Sequence, residues 1–305
     1  MPEPFRKPPA AAPVWISGSC WKEIEATGTD AFLVAWSPRL RLERWGTFLR
    51  AIASQPVPLP CEASLLTPPA DCRWKPRQVI WQAENDRTAL HLAGGEWTTE
   101  VRELGLRYGI DLTPGTAPGL FPDQRENRVF LRSLRPRSLL NLFAHTCAFG
   151  LLAASTGATT LNIDNSARAL GRGRDNFRRN RLDGENHRFW QEDVRKALPR
   201  LLRRRETFEG IILDPPTFAH GGRGRSFRIE RELEPMLAVC LRLLSPRGSL
   251  LVSVNQSGTH RWKLDQLVRS ALHREKIRAR LEPSRHPPEV PGTRMPAGVW
   301  VIRED

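Results

Sequence analysis

The strongest constraint on the fold is a rhythm that begins at Ser138 and runs through the rest of the chain. Short apolar runs, SLLNLFA, TTLNID, HRFWQED, EGIILD and GSLLVSVN, alternate with amphipathic stretches near 149–155, 166–180, 194–205 and 230–244. Runs of this length, rich in Leu, Ile and Val, suit strands buried on both faces, and the stretches between them suit helices. Four successive β-α-β steps require a parallel sheet with right-handed crossovers and helices on both sides. IRARLEP and VWVIRE, joined by a proline-rich loop, add two further strands. The expectation is a doubly wound, Rossmann-like α/β sheet of seven strands.

In such sheets a ligand lies beyond the carboxyl ends of the strands, so the residue after each run is a candidate. The first run leads into HTCAFG, which holds one glycine, Gly150, and the chain has neither GxGxxG nor GxxxxGK. A dinucleotide or a nucleoside triphosphate would need those devices for its phosphates; a cofactor without phosphate would not. Asp164, followed by Asn165, ends the second run 17 residues after Cys147. That is close to the interval at which a carboxylate reaches ribose hydroxyls, although capping of the next helix is an equal use for it unless Ser166 takes that role. Asp193 ends the third run, where it can accept from an adenine amino group or cap a helix.

Asp214-Pro215-Pro216-Thr217-Phe218 follows the buried run EGIILD. Two consecutive prolines can neither extend a helix nor donate to a ladder, so they fix a rigid turn. That turn can aim the Asp214 carboxylate at a planar amine or amide, with Phe218 placed to stack on the ring that carries it. GGRGR, from Gly221 to Arg225, comes next and reads as a phosphate clamp or as a solvated loop. The arginine-rich stretch SARALGRGRDNFRRNRL reads as a solvated helix face.

The front of the chain differs. Residues 14–112 are β-rich: Leu104, Leu106, Tyr108, Ile110 and Leu112 alternate with Gly105, Arg107, Gly109 and Asp111, and TALHLAGGEWTTEV predicts a hairpin turning at Gly94-Gly95. Seven of the ten tryptophans fall in this region, as bulk for a small core or as a base-stacking platform. TPGTAPG marks a boundary, and PDQRENRVFLRSL starts a helix at Pro122. The expected organisation is an unstructured 1–13, a β-rich domain over 14–112, a linker with a covering helix over 113–137, and the α/β domain over 138–305.

Composition narrows the setting. With 305 residues, 40% of them hydrophobic, two cores can be filled. No apolar run approaches the roughly eighteen residues that a membrane span needs, and the proline-rich start is unlike a signal peptide. Five scattered cysteines without a CxxC pair predict a reducing, cytoplasmic setting and no metal site. The net charge of +14, with 47 basic residues, favours a polyanionic partner such as RNA, although arginine used for solubility would give the same balance.

Taken in order and spacing, GLFPDQRENR, NLFAHTCAFG, TTLNIDNS, QEDVRKAL and GIILDPPTF resemble the class I methyltransferases related to bacterial large-subunit ribosomal RNA methyltransferases. The resemblance is clear over residues 119–260 and looser upstream. It implies S-adenosylmethionine as cofactor, with Asp164 on its ribose, Asp193 on its adenine, and the turn containing Phe143, His145, Thr146, Cys147 and Gly150 around its methionine portion. It also implies that Asp214, Pro215, Pro216 and Phe218 face the methyl group and its acceptor, and that Asp123, Gln124 and Arg125 sit on a covering segment, Gln124 against the cofactor. Where the family commonly has tyrosine-threonine-glycine, this chain has His145-Thr146-Cys147, which puts a side chain where the cofactor should pass. Relatives that methylate a pyrimidine carbon carry a cysteine after the fifth strand; here Val254-Asn255-Gln256-Ser257 stand there, so the expected acceptor is a base nitrogen in RNA. The alternatives are a methyltransferase acting on a protein or a small molecule, or an RNA-binding factor whose cofactor loop has decayed.

Overall fold

The computed structural model describes residues 13–53, 68, 74–84, 88–216, 229–254, 261–290 and 296–305. The chain forms two compact units, Met1–Pro118 and Gly119–Asp305.

In the first unit, strands β1 (Val14–Trp15), β2 (Ala31–Trp36), β3 (Leu40–Trp45), β4 (Phe48–Ala53), β5 (Gln78–Ala83) and β6 (Ala89–Ala93) form one sheet in sequential order. Helix α1 (Gly18–Ala26) is capped by Ser17, whose side chain accepts from Cys20 N. It lays Trp21 and Ile24 against Phe32, Leu42, Leu49 and Trp81. Trp21, Trp45 and Trp81 are buried and the other four tryptophans of this unit are half-buried, with the Arg44 guanidinium 5.5 Å from the Trp21 ring and 5.2 Å from that of Trp74. A separate two-stranded ribbon is built from β7 (Thr98–Glu103) and β8 (Leu106–Asp111).

The ribbon corrects one expectation. The chain does not turn back on itself at Gly94-Gly95, because β6 pairs with β5 whereas β7 pairs with β8. Residues 94–97 instead carry it from one sheet to the other, with Gly95 N donating to Gln78 Oε1 at 2.8 Å. The tight turn is Leu104-Gly105, with φ of 54° and 83°, flanked by the pair Glu103 and Leu106. Two positive φ values give the primed turn that matches strand twist. Leu104 looks like another apolar strand position, which hides the turn.

In the second unit, α2 (Arg125–Leu134) precedes β9 (Ser138–Leu142), α3 (Ala148–Ser155), β10 (Thr159–Asp164), α4 (Ala167–Arg179), β11 (His187–Gln191) and α5 (Val194–Arg203). These are followed by β12 (Phe208–Leu213), α6 (Ile229–Leu243), β13 (Leu244–Val254), α7 (Arg261–Glu275), β14 (Ala279–Pro283) and β15 (Ala297–Arg303). The sheet order is β11-β10-β9-β12-β13-β15-β14. Neighbours from β11 to β13 are parallel, and β15 runs antiparallel to both β13 and β14. This is the seven-stranded α/β sheet expected, with α7 as an added element whose apolar positions, Leu264, Val268, Ala271 and Leu272, are separated by polar ones.

Alternation along the strands sorts the core onto two faces. Leu140, Leu142, Ile211 and Leu213 join α5 and α6 through Leu198, Leu201, Leu237 and Leu241. Leu139, Ile212 and Leu251 point the other way, to Leu131 of α2, Phe149 of α3 and Trp300 of β15. Strand order reverses between β9 and β12, so the crevice that binds ligands in open α/β sheets falls at their carboxyl ends.

Candidate functional site

Four strand ends meet at that crevice. The turn after β9 is shaped by three non-glycine residues in the left-handed region, Phe143 (φ 54°), His145 (φ 48°) and Cys147 (φ 63°). Each such residue costs about 1–3 kcal/mol, so the surroundings must hold the turn in place. They do: Ala144 N donates to Ile163 O at 3.0 Å, Thr146 Oγ1 donates to Gly119 O, and Asn176 Nδ2 donates to Thr146 O at 3.2 Å. Burial first, and then Arg172, pushes the His145 imidazole down to about 4 against the pull of Asp164, so the ring is neutral at physiological pH.

Cys147 is buried against α4. A Cβ on Gly173 would lie 2.6 Å from its Sγ, so the glycine in α4 makes the room that the thiol occupies. Burial holds this thiol well above its ordinary range, with the nearby Asp164 acting in the same direction, so it is not poised as a nucleophile. Gly150 is required by packing. It lies within α3, where a Cβ would come 2.0 Å from Asn162 Oδ1, so close packing of the helix on β10 already demands a glycine there.

Asp164 ends β10 with its carboxylate fixed by two backbone donors, His145 N to Oδ2 and Ser166 N to Oδ1, each at 2.8 Å. Ser166, not Asp164, caps α4 through Ala169 N. Each carboxylate oxygen keeps a lone pair, which is what two adjacent hydroxyls require. Asn165 beside it is exposed. Asp193 caps α5 and is engaged by the Arg195 backbone N–H and guanidinium at 2.5–3.0 Å. The Arg195 hydrogen bond holds its carboxyl below the usual range.

Asp214, half-buried at the end of β12, is followed by buried Pro215 and exposed Pro216. Burial pushes its carboxyl up to about 6; a Ser253 hydrogen bond and Arg128 oppose the shift, and Asp123 adds to it. Behind Asp214 stands a directed chain of hydrogen bonds. Trp300 Nε1 donates to Asn127 Oδ1 at 3.0 Å, Asn127 Nδ2 to Gln124 Oε1 at 2.7 Å, and Gln124 Nε2 to Ser253 Oγ at 2.9 Å. Indole nitrogen can only donate, so it fixes both amide orientations and leaves the Ser253 hydroxyl proton for Asp214. Gln124 is thus buried and engaged at both ends of its amide. Arg125 is pinned beside it by a buried two-pronged ion pair to Glu289, at 2.7 and 2.9 Å. Phe218 and the loop from Gly221 to Arg225 lie outside the described residues, as do residues 1–12 and Asn255-Gln256-Ser257.

A family model described as S-adenosylmethionine-dependent methyltransferase matches residues 17–302. The chain belongs to that family. Among curated methyltransferases, Ribosomal RNA large subunit methyltransferase I of Shewanella denitrificans is 36% identical over 153 residues, covering 50% of this chain and 38% of that protein. Its counterpart in Shewanella frigidimarina is 34% identical over 170 residues, covering 55% and 42%. The matched region therefore spans less than half the length of these relatives. The crystal structure of SMU.776 complexed with SAH shares the methyltransferase fold with a TM-score of 0.79 at 20% identity, covering 93% of this chain and 79% of that one. A SAM-dependent methyltransferase from Agrobacterium tumefaciens gives 0.71 at 22%, covering 92% and 91%.

Ser253, Asn127 and Glu289 were not singled out from the sequence. Ser253 carried a signal, being a polar residue in the run LLVSV, and it is fully buried. Glu289 is far from Arg125 in sequence and carried none. Among the described residues no cluster suited to a metal ion occurs, and no helix is long and apolar enough to cross a membrane.

Proposed function

We propose that this chain methylates a base nitrogen in RNA, ribosomal RNA in the first instance, with S-adenosylmethionine held at the tips of β9 and β10. When bound, that cofactor supplies a methyl group on a sulfonium already activated for displacement. Asp164 would accept from its ribose hydroxyls, and the turn over residues 143–147 would receive its methionine portion. Neutral His145 suits a neighbour that carries positive charge, because an imidazolium there would repel it. The covering segment over 113–137 contributes Gln124 through Ser253, not by direct contact.

The observation that carries the reading is Asp214. Ser253 donates to it, so the carboxylate is left as an acceptor for one further N–H. A base nitrogen that gives this hydrogen bond is oriented with its lone pair toward the methyl group, and alignment of this kind is worth several kcal/mol. As the new nitrogen–carbon bond forms, the nitrogen gives up a proton that a carboxylate with a pKa of about 6 can take. The RNA substrate is supported by the names of the Shewanella relatives and by the basic surplus of +14. The room that Gly173 leaves for the Cys147 thiol against α4 supports a working cofactor crevice over a decayed one.

The test is transfer of labelled methyl to protein-free large-subunit ribosomal RNA from a strain lacking the gene, followed by digestion to nucleosides. An N-methylated base, lost with Asp214→Asn, is expected. A 5-methylcytosine product would overturn the nitrogen assignment, and label appearing only in protein would overturn the RNA substrate.

A further inference from the structure

Every tryptophan of this chain lies in described residues, and nine of the ten are buried or half-buried; Trp262 is 60% exposed. Topology says where it stands. β13 runs parallel to β12, so Val254 lies at the carboxyl edge of the sheet. β13 and β14 are both antiparallel to β15, so α7 carries the chain from that edge back to the opposite one. Trp262, in the first turn of α7, is therefore on the same edge as Asp214. Arg261 and Lys263 flank it, both exposed, with Lys263 Nζ 5.6 Å from the indole ring. Arg261 is 54% exposed even while it lies 3.7 Å from Asp265. On the other side of β12, Phe121 is 46% exposed, with its ring 5.2 Å from that of His145. The order β9-β12-β13 thus sets Asp214 between two solvent-facing aromatic rings.

Large rings left in water forgo the stabilisation that burial gives, and among the described residues of the second unit the two most exposed sit on this rim. An aromatic face bordered by cations is what a nucleobase and its adjoining phosphates match, and every base has a π-face to offer. We propose that Trp262 is a stacking platform for an unpaired base that flanks the methylated one, with Arg261 and Lys263 on the neighbouring phosphates. Phe121 offers a second, smaller face on the opposite rim. This inference rests on the RNA reading above and adds the form of the RNA: single-stranded around its target.

The full-length chain is titrated against a fluorescein-labelled single-stranded RNA of mixed sequence, about twelve nucleotides long, and followed by anisotropy. Trp262→Ala is expected to weaken binding roughly 5- to 150-fold, the loss that follows removal of one base–aromatic stack. Trp262→Phe should restore most of the affinity and Trp262→Leu should not, because leucine keeps apolar bulk without a π-face. S-adenosylmethionine affinity, measured by calorimetry, should be equal in all four proteins, which reports intact folding. If the wild type binds this RNA and the Ala and Leu variants bind it as tightly, the platform is refuted while the RNA reading stands. If the wild type binds no RNA but does bind an acidic peptide, both are refuted.

Discussion

Asp214 is held between two demands. Burial raises its carboxyl from 3.8 to about 6, while the Ser253 hydrogen bond pulls the other way. Turnover should therefore climb with pH through about 6 and level off above it, as the carboxylate forms. Ser253→Ala removes a bond that favours the charged form, so the midpoint of that climb should move upward by about half to one pH unit, with Ser253→Thr close to wild type. A purely structural role would lower turnover without moving the midpoint. Asp214→Asn should cut turnover by at least about a hundredfold with little change in cofactor affinity. The same substitution should stabilise the fold at alkaline pH. A carboxyl raised on folding contributes stability below its unfolded pKa and loses it as pH rises through about 6, so the variant should gain about 1–2 kcal/mol at pH 8 and none at pH 4 in urea titrations. Cys147 and Gly173 form a second linked pair: Gly173→Ala should destabilise by about 1–3 kcal/mol, and Cys147→Gly in the same chain should return much of that loss. Asp164 and Asp214 could be found from sequence because a strand's end is a position that the hydrophobic rhythm marks. Asp193 marks a strand end in the same way, but its contact with Arg195 two residues away depends on side-chain geometry that the rhythm does not show.

At the level of elements, α2 and the turn before it are held by contacts from remote parts of the second unit. Glu289 grips Arg125 from the stretch after β14, Arg285 N donates to Asn127 Oδ1 at 2.8 Å, and Trp300 reaches the same oxygen from β15. Breaking the buried ion pair with Glu289→Gln leaves the guanidinium with only Glu126, 3.1 Å from its Nε, and should cost up to about 3–5 kcal/mol, whereas Arg125→Met with Glu289→Leu should cost far less. Urea midpoints of the two variants make the comparison. Because Gln124 leads to Asp214 through Ser253, the single variant should also depress turnover beyond what its lost stability explains. None of this linkage is periodic, so sequence reading assigned the helix and left its fastening unseen. The Leu104-Gly105 turn was hidden for a related reason: an apolar residue there satisfies the strand pattern while its backbone adopts a turn.

For the whole molecule, the seven-stranded α/β sheet was legible, though not its strand order, because buried parallel strands must be apolar throughout and must be joined by helices, a demand written into nearly every residue from 138 onward. The sorting of the first unit into a six-stranded sheet and a separate ribbon was not, since antiparallel pairing leaves only short, local marks. Saturating S-adenosylmethionine, at about a hundred times its dissociation constant, should raise the melting midpoint by about 5–10 °C, and Asp164→Ala should abolish most of that rise in a thermal scan. RNA affinity should fall steeply and linearly on a log–log plot against salt, as a chain of net charge +14 requires of a phosphate-bearing partner. The uneven sheltering of the tryptophans has a further use. Nine indoles shielded to differing degrees and one facing bulk solvent give an emission spectrum with a red shoulder that iodide should extinguish first. That shoulder would make the unlabelled chain its own optical reporter for whatever comes to rest on the rim.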